Sequence, residues 1–187
     1  ASAIPTVKKA HPGFLFLAEG YWGLEARLQG VGFDYIYDKP LYDGLVSRDA
    51  VGVQNHLLGM TPGAVAASAH FLENHDEARI ASILSPAEHR AAALLILGLP
   101  GMRFLHEGQL SGARLKIPVQ LARRAEEARQ TEVADIYEQL LRTLPGTAVG
   151  QGRGELSKPR AAWPGNATAQ NFVIVQWQKK APEFDVV

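Results

Sequence analysis

The chain has 187 residues, 47% of them hydrophobic and 20% charged, which suits one globular domain, or one domain with a small appendage, and excludes a disordered polymer. Nineteen Lys and Arg balance nineteen Asp and Glu, so net charge favours neither nucleic acid nor an anionic membrane as partner. Cysteine is absent, which excludes disulfides and thiolate zinc sites and leaves the compartment open, with a lean towards the cytoplasm.

Phe14–Ala18 is a continuous apolar run after Pro12-Gly13. It reads as a strand buried on both faces, as parallel sheets require, and Glu19 ends it. Nothing ahead of it has the basic flank and apolar core of a signal peptide. Leu24–Gln29 predicts a short helix, and Gly32–Tyr37 a second strand ending at Asp38. Ser47 is placed to cap a helix running to about Leu58. His70–Glu73 is the third strand. Ser85, Pro86 and Glu88 form a capping-box start for a helix whose body, Ala91–Leu97, is apolar on nearly all sides and predicted to be buried. That run is also the longest apolar stretch, and it is too short to span a bilayer. Gly98 and Pro100 stop the helix. Met102–Leu105 is the fourth strand, followed by His106-Glu107.

Val133, Ile136, Tyr137, Leu140, Leu141 and Leu144 share one face of a last helix, which Pro145-Gly146 ends. Residues 147–168 are rich in Gly and Pro and read as loop. Asn171–Trp177 is then a strand with no helix after it, which marks the start of a β module. Strands alternating with helices predict a parallel α/β sheet. Four such units fall short of a closed eight-stranded barrel of about 250 residues. The predicted architecture is a partial (β/α)8 barrel over 1–146, a linker over 147–168, and the beginning of a β-sandwich domain over 169–187. A small free-standing α/β domain is the competing reading.

The strand ends carry the chemistry-bearing residues: Glu19, Asp38-Lys39, Asn74-His75-Asp76 and His106-Glu107. In barrels of alternating strands and helices, the C-terminal strand ends hold the active site. Glu19 lies between an apolar strand and Tyr21-Trp22, a setting that resists ionisation and suits a general acid. Tyr21 and Trp22 are able to stack on a sugar face, or to begin a helix as core residues. His75 and Asp76 are adjacent and would point to opposite faces of a strand, but at a strand exit both can line one pocket. Arg79 is placed to brace Asp76 or another carboxylate, or to sit on a helix surface. A metal reading of His75, Asp76 and His106 stays open but lacks a recognised ligand spacing, and no cofactor is expected. Gly150–Gly154 has the composition of a phosphate loop but follows a helix, which excludes that role.

Two blocks resemble the α-amylase family of glycoside hydrolases. Phe16-Leu17-Ala18-Glu19-Gly20-Tyr21-Trp22 is similar to the fifth barrel strand, and Phe71-Leu72-Glu73-Asn74-His75-Asp76-Glu77-Ala78-Arg79 to the seventh. Gly32–Lys39 is similar to the sixth, and Leu99–Met102 with Gly108-Gln109 to the eighth. The resemblance spans roughly residues 1–145. It implies that Glu19 is the general acid/base, that Asp76 stabilises the transition state, and that His75, Tyr21 and Trp22 contact the sugar.

The resemblance also implies an α-glucan substrate and a retaining mechanism, hydrolytic or transferring. The family's nucleophile, an Asp in a Gly-x-Arg-x-Asp strand, has no counterpart here. Arg48-Asp49 is at a helix start and in the wrong order relative to Glu19. The chain by itself is therefore expected to be inactive, and to need either the N-terminal half of the barrel or self-association. The usual calcium ligands of the family belong largely to that other half, so no metal is expected in this chain. The alternative is a non-catalytic relative that binds carbohydrate or acts as a scaffold.

Overall fold

The computed structural model describes residues 3–21, 23–121, 123–180 and 183–187. Helix α1 (Ala3–Ala10) leads into strand β1 (Leu17–Ala18), helix α2 (Glu25–Gly30) and strand β2 (Tyr35–Tyr37). Helices α3 (Lys39–Val46), α4 (Ala50–Gly59) and α5 (Pro62–Ala66) precede strand β3 (Ser68–Phe71). Helices α6 (Ile80–Ile83) and α7 (Pro86–Gly98) precede strand β4 (Met102–Phe104), and helix α8 (Thr131–Thr143) follows it. Strands β5 (Arg153–Ser157), β6 (Ile174–Lys180) and β7 (Glu183–Val186) complete the chain.

The first four strands form one parallel sheet in the order β1-β2-β3-β4, with Leu17 opposite Tyr35, Ile36 opposite Ser68 and His70 opposite Arg103. This order has a physical consequence. Crossovers between parallel strands are right-handed, so a chain that always steps to the next strand in one direction lays its helices on one face. A doubly wound sheet would reverse direction and put helices on both faces. The helix-side core gathers Leu41, Val53, Leu57, Leu72, Ile80 and Ile96. The opposite face carries Tyr37, Ala69 and Phe71, with Met102 and Phe104 packed against them, and Tyr42 of α3 stacks on Phe71. Such a sheet is a segment of a (β/α)8 barrel wall, and every strand delivers its C-terminal end to the same rim.

Several local expectations needed correction. Only Leu17 and Ala18 pair in the first strand. Phe14 and Leu15 are 52% and 57% exposed, because β1 is an edge with a neighbour on one side only. The helix expected from Ser47 begins at Ala50, as α4, and an unexpected helix, α3, precedes it. Asp38 caps α3 by accepting from the Leu41 amide at 3.3 Å, and Asp49 caps α4 by accepting from the Gly52 amide at 2.8 Å. Ser47 instead closes α3, its hydroxyl donating to the Asp43 carbonyl. The corner between the two helices is Arg48, held at φ 63°, with its guanidinium on Glu88 at 2.6 and 3.1 Å.

The capping box at Ser85 and Glu88 forms as expected. Only one stripe of α7 is buried (Ala92, Ala93, Ile96, Leu97), and Leu94 faces solvent. On α8, Val133 and Tyr137 are buried while Leu141 is exposed. The stretch expected to be loop contains β5, which pairs antiparallel with β6, and β7 pairs on the other side of β6. Strand β6 starts at Ile174 rather than Asn171 because Ala167–Asn171 is a 3₁₀ turn, capped by Asn166.

The small sheet docks on the helix layer. Trp177 donates its indole N–H to the Gly98 carbonyl at 2.7 Å, and Gln54 donates to the carbonyls of Ala169 and Phe172. Burying an indole of about 200 Å² contributes roughly 5 kcal/mol as an upper estimate, so Trp177 is the principal anchor of this sheet. No helix among the described residues is long and apolar enough to cross a membrane.

Candidate active site

The turn that builds the site is encoded in Asn74. This side chain is 2% exposed, and its Oδ1 accepts from the amides of both Asp76 and Glu77 at 2.9 Å. An Asx turn of this kind ends the strand alternation. His75 and Asp76 therefore turn out over the rim together. Below them, Glu73 is fully buried and accepts from Arg79 Nη1 at 2.7 Å and from the Ile80 amide at 2.7 Å. Arg79, 3% exposed, also donates to the Glu107 carbonyl and to His106 Nδ1. The Arg79 brace thus exists, but its carboxylate is Glu73 and not Asp76.

Glu19, at the exit of β1, meets this loop. His75 Nε2 is 3.5 Å from Glu19 Oε1 and 3.5 Å from Asp76 Oδ2. One donor atom from each of the three residues lies within 4.8 Å of the others. Tyr21 donates its hydroxyl to Glu19 at 3.3 Å, and its phenol is pushed up, first by burial and then by the Glu19 charge. Tyr21 thus stays a proton donor beside the carboxylate. Trp22, the remaining expected sugar contact, lies outside the described residues. The Glu19 side chain is 43% exposed, so the apolar enclosure inferred for it is not formed by these residues.

Other strand-end residues do different work. Asp38 is buried and receives His56 Nε2 at 2.7 Å and His70 Nδ1 at 3.0 Å. Burial opposes its ionisation, but the two histidine hydrogen bonds outweigh that and hold the carboxyl below its ordinary range. His70 reaches from Asp38 to the Pro100 carbonyl at 2.8 Å, so this network ties β2, β3 and the entry to β4. Glu107 pairs with Arg124. His106 is held by Arg79 and does not join the Glu19 cluster.

Two contributors, Tyr37 and Lys116, had no role in the sequence reading, and Lys39 entered it only as a strand-end residue. Tyr37, on the inward face of β2, lies near both acids. Its phenol is pushed up by burial, then by Glu19 and Asp76. The alternation Tyr35-x-Tyr37 ending at Asp38 was a usable signal for that position. Lys39 sits 3.3 Å from Glu77 and over the Tyr42 ring. Lys116 donates to the Asp76 carbonyl from an irregular loop, where no periodicity could announce it. A cavity of about 240 Å³ lies beside the cluster, lined by Asn74, His75, His106 and Lys116. A larger one, about 620 Å³, lies far from this chemistry between α4, α7 and Phe172, and its walls are mainly apolar.

Among the described residues, Glu19, His75 and Asp76 are the one group of three His, Asp or Glu donors close enough to share an ion. Calcium takes six to eight oxygens, so these residues do not fit the calcium site that the family resemblance brings to mind.

No protein-family model matches the sequence, and no curated protein matches it. Solved structures do match. The maltogenic amylase from S. marinus superposes at TM-score 0.71 with 16% identity, over 98% of this chain and 27% of that one. The α-amylase from H. orenii gives 0.67 and 16%, over 98% and 45%. The acarbose-soaked debranching enzyme of Nostoc punctiforme gives 0.66 and 18%, over 93% and 41%. The chain thus spans less than half the length of each of these proteins. With its four parallel strands in consecutive order and an antiparallel sheet docked behind them, it has the fold of part of an α-amylase-type (β/α)8 barrel with an adjoining β domain.

Proposed function

We propose that the chain is the C-terminal half of the catalytic barrel of an α-amylase-type glycosidase or transglycosidase acting on α-glucans by a retaining mechanism. The observation that carries this reading is the convergence of Glu19 with His75 and Asp76, from strands β1 and β3, on one rim. Glu19 is the general acid/base. It protonates the departing glycosidic oxygen and later deprotonates the incoming water or sugar hydroxyl. Asp76 stabilises the positive charge that develops at the anomeric carbon, and His75 and Tyr21 hydrogen-bond the sugar. The attacking carboxylate lies about 5–5.5 Å from the acid in retaining enzymes. No residue of this chain is assigned that role, so the nucleophile is supplied by the other half of the barrel.

The reading predicts no turnover of maltooligosaccharides by the 187-residue chain alone, and turnover by the longer polypeptide that carries it. Glu19→Gln and Asp76→Asn should each abolish that turnover while leaving maltotriose binding measurable. Turnover by the isolated chain that is lost in Glu19→Gln would overturn the division of labour. A longer polypeptide that binds maltotriose and never turns it over would favour the carbohydrate-binding alternative.

A further inference from the structure

We infer that Lys116 is a positioning residue for Asp76, holding the backbone from which that carboxylate projects. Its effect on turnover rests on the glycosidase reading; the contact does not, since both partners lie on this chain.

The direction in which a side chain leaves its Cα is set by the two planar peptide groups that meet there. At Asp76 both are pinned. The peptide on the N-terminal side is held by the Asp76 N–H, which donates to Asn74 Oδ1 at 2.9 Å. The peptide on the C-terminal side is held at both ends. The Glu77 N–H donates to the same Asn74 oxygen at 2.9 Å, and the Asp76 carbonyl accepts from Lys116 Nζ. A hydrogen bond from an ammonium is charge-assisted and stronger than its neutral counterpart. Asn74 is local to the turn, whereas Lys116 reaches it from forty residues further along the chain.

A lysine on an irregular segment can position anything only if the segment is itself held, because ordering it costs about 1–2 kcal/mol per residue. Here it is held at three points. The Gln130 amide donates to the Ser111 carbonyl at 2.9 Å and closes the base of the loop. The Glu127 carboxylate accepts from the amides of Arg114 and Leu115 at 2.9 and 3.2 Å. Arg79 Nε donates to the Leu115 carbonyl at 3.4 Å, so the residue next to Lys116 is fastened to the guanidinium that braces Glu73. Lys39 grips the other flank of the turn, 3.3 Å from Glu77. The Asn74–Glu77 turn is thus held by lysines that follow β2 and β4, the strands on either side of β3.

Asp76 acts on charge that develops only in the transition state, so loosening its backbone should slow turnover and spare substrate binding. A misplacement of about 1 Å at such a group costs on the order of a hundredfold. Lys116→Met removes the ammonium and keeps the aliphatic stem, while Lys116→Arg restores a cationic donor of similar reach. In the longer polypeptide that carries this chain, Lys116→Met should lower kcat on maltooligosaccharides by about 10–100-fold, with KM changed by less than about threefold. Lys116→Arg should recover most of the lost kcat. Lys116 is exposed, so neither substitution should move Tm by more than about 2 °C. In the 187-residue chain, Lys116→Met should accelerate amide exchange at Asp76 and Glu77 by roughly tenfold, read by NMR, and leave Ile80 unchanged.

Unchanged kcat in Lys116→Met overturns the assignment. So does a loss of activity carried by KM, or one accompanied by a fall in Tm that Lys116→Arg does not reverse. Unchanged exchange at Asp76 and Glu77 overturns it in every case. If the unsubstituted longer polypeptide shows no turnover, the glycosidase reading falls, and faster exchange confined to the turn sustains the tether without it.

Discussion

The Glu73–Arg79 pair holds the candidate site from beneath, and its removal should be costly. The two groups are 0% and 3% exposed and meet at 2.7 Å. In Arg79→Met the arginine is replaced by an uncharged chain of similar length. The Glu73 carboxylate then stays buried with the Ile80 amide as its remaining donor from this network. Breaking a buried pair from one side costs about 3–5 kcal/mol. For a chain of this size each kcal/mol lowers Tm by about 2–4 °C, so a fall of roughly 6–20 °C is expected. The same substitution releases the Glu107 carbonyl and His106. Amide exchange should therefore accelerate at Asp76 and Glu77, whose N–H groups are held by Asn74. The double variant Glu73→Leu/Arg79→Met leaves no unpaired charge and should recover most of the loss. Thermal and urea unfolding followed by circular dichroism, with exchange read by NMR, measures all three. A loss below about 1 kcal/mol in Arg79→Met, or a double variant no more stable than the single, would refute the argument.

Stability should also depend on pH through two histidine networks of opposite sign. His56 is raised by its hydrogen bond to Asp38, against partial burial, so its contribution is full below the ordinary imidazole value of about 6.5 and is lost as pH rises through its higher folded value. Asp38 is depressed, so its share is present above the ordinary carboxylate range and is lost on acidification below it. Asp38→Asn should flatten both limbs of the stability–pH curve, and unchanged limbs would contradict the network. His89 is pushed down to about 4 by burial. Stability should therefore fall between about pH 6.5 and 4, by about 3 kcal/mol, and His89→Leu should shallow that slope in pH-dependent urea unfolding. Finally, Trp177→Phe removes the donor to the Gly98 carbonyl and should cost about 1–3 kcal/mol, with amide exchange in β6 rising ahead of that in α7.

The parallel character of the sheet was legible because apolar runs ended in polar clusters and alternated with helical patterns. The capping box at Ser85 and Glu88 was legible for a related reason, since caps are local hydrogen bonds between residues three apart. The left-handed corner at Arg48 was not, because such a backbone at a non-glycine residue is maintained by a distant partner, Glu88. Strand β5 was hidden by Gly154 and by Gly150 and Gly152 just ahead of it. It exists because β6 offers it a ladder, a partner contributed by sequence about twenty residues away.

The sequence alone thus determined the strand ends and the chemical types they carry, because hydrophobic period and local turn chemistry act over a few residues. It placed Glu19, His75 and Asp76 on a shared rim by resemblance. Only the tertiary structure decided which strand-end residues meet. Glu19 joined His75 and Asp76, while Asp38 and His106, equally eligible by pattern, were drawn into buried networks with His70 and Arg79. The reason is that a strand-end side chain has two outlets, the rim or the space between strands and helices. The choice depends on which donors the neighbouring strands bring alongside, and strand order and register, rather than sequence spacing, determine those neighbours.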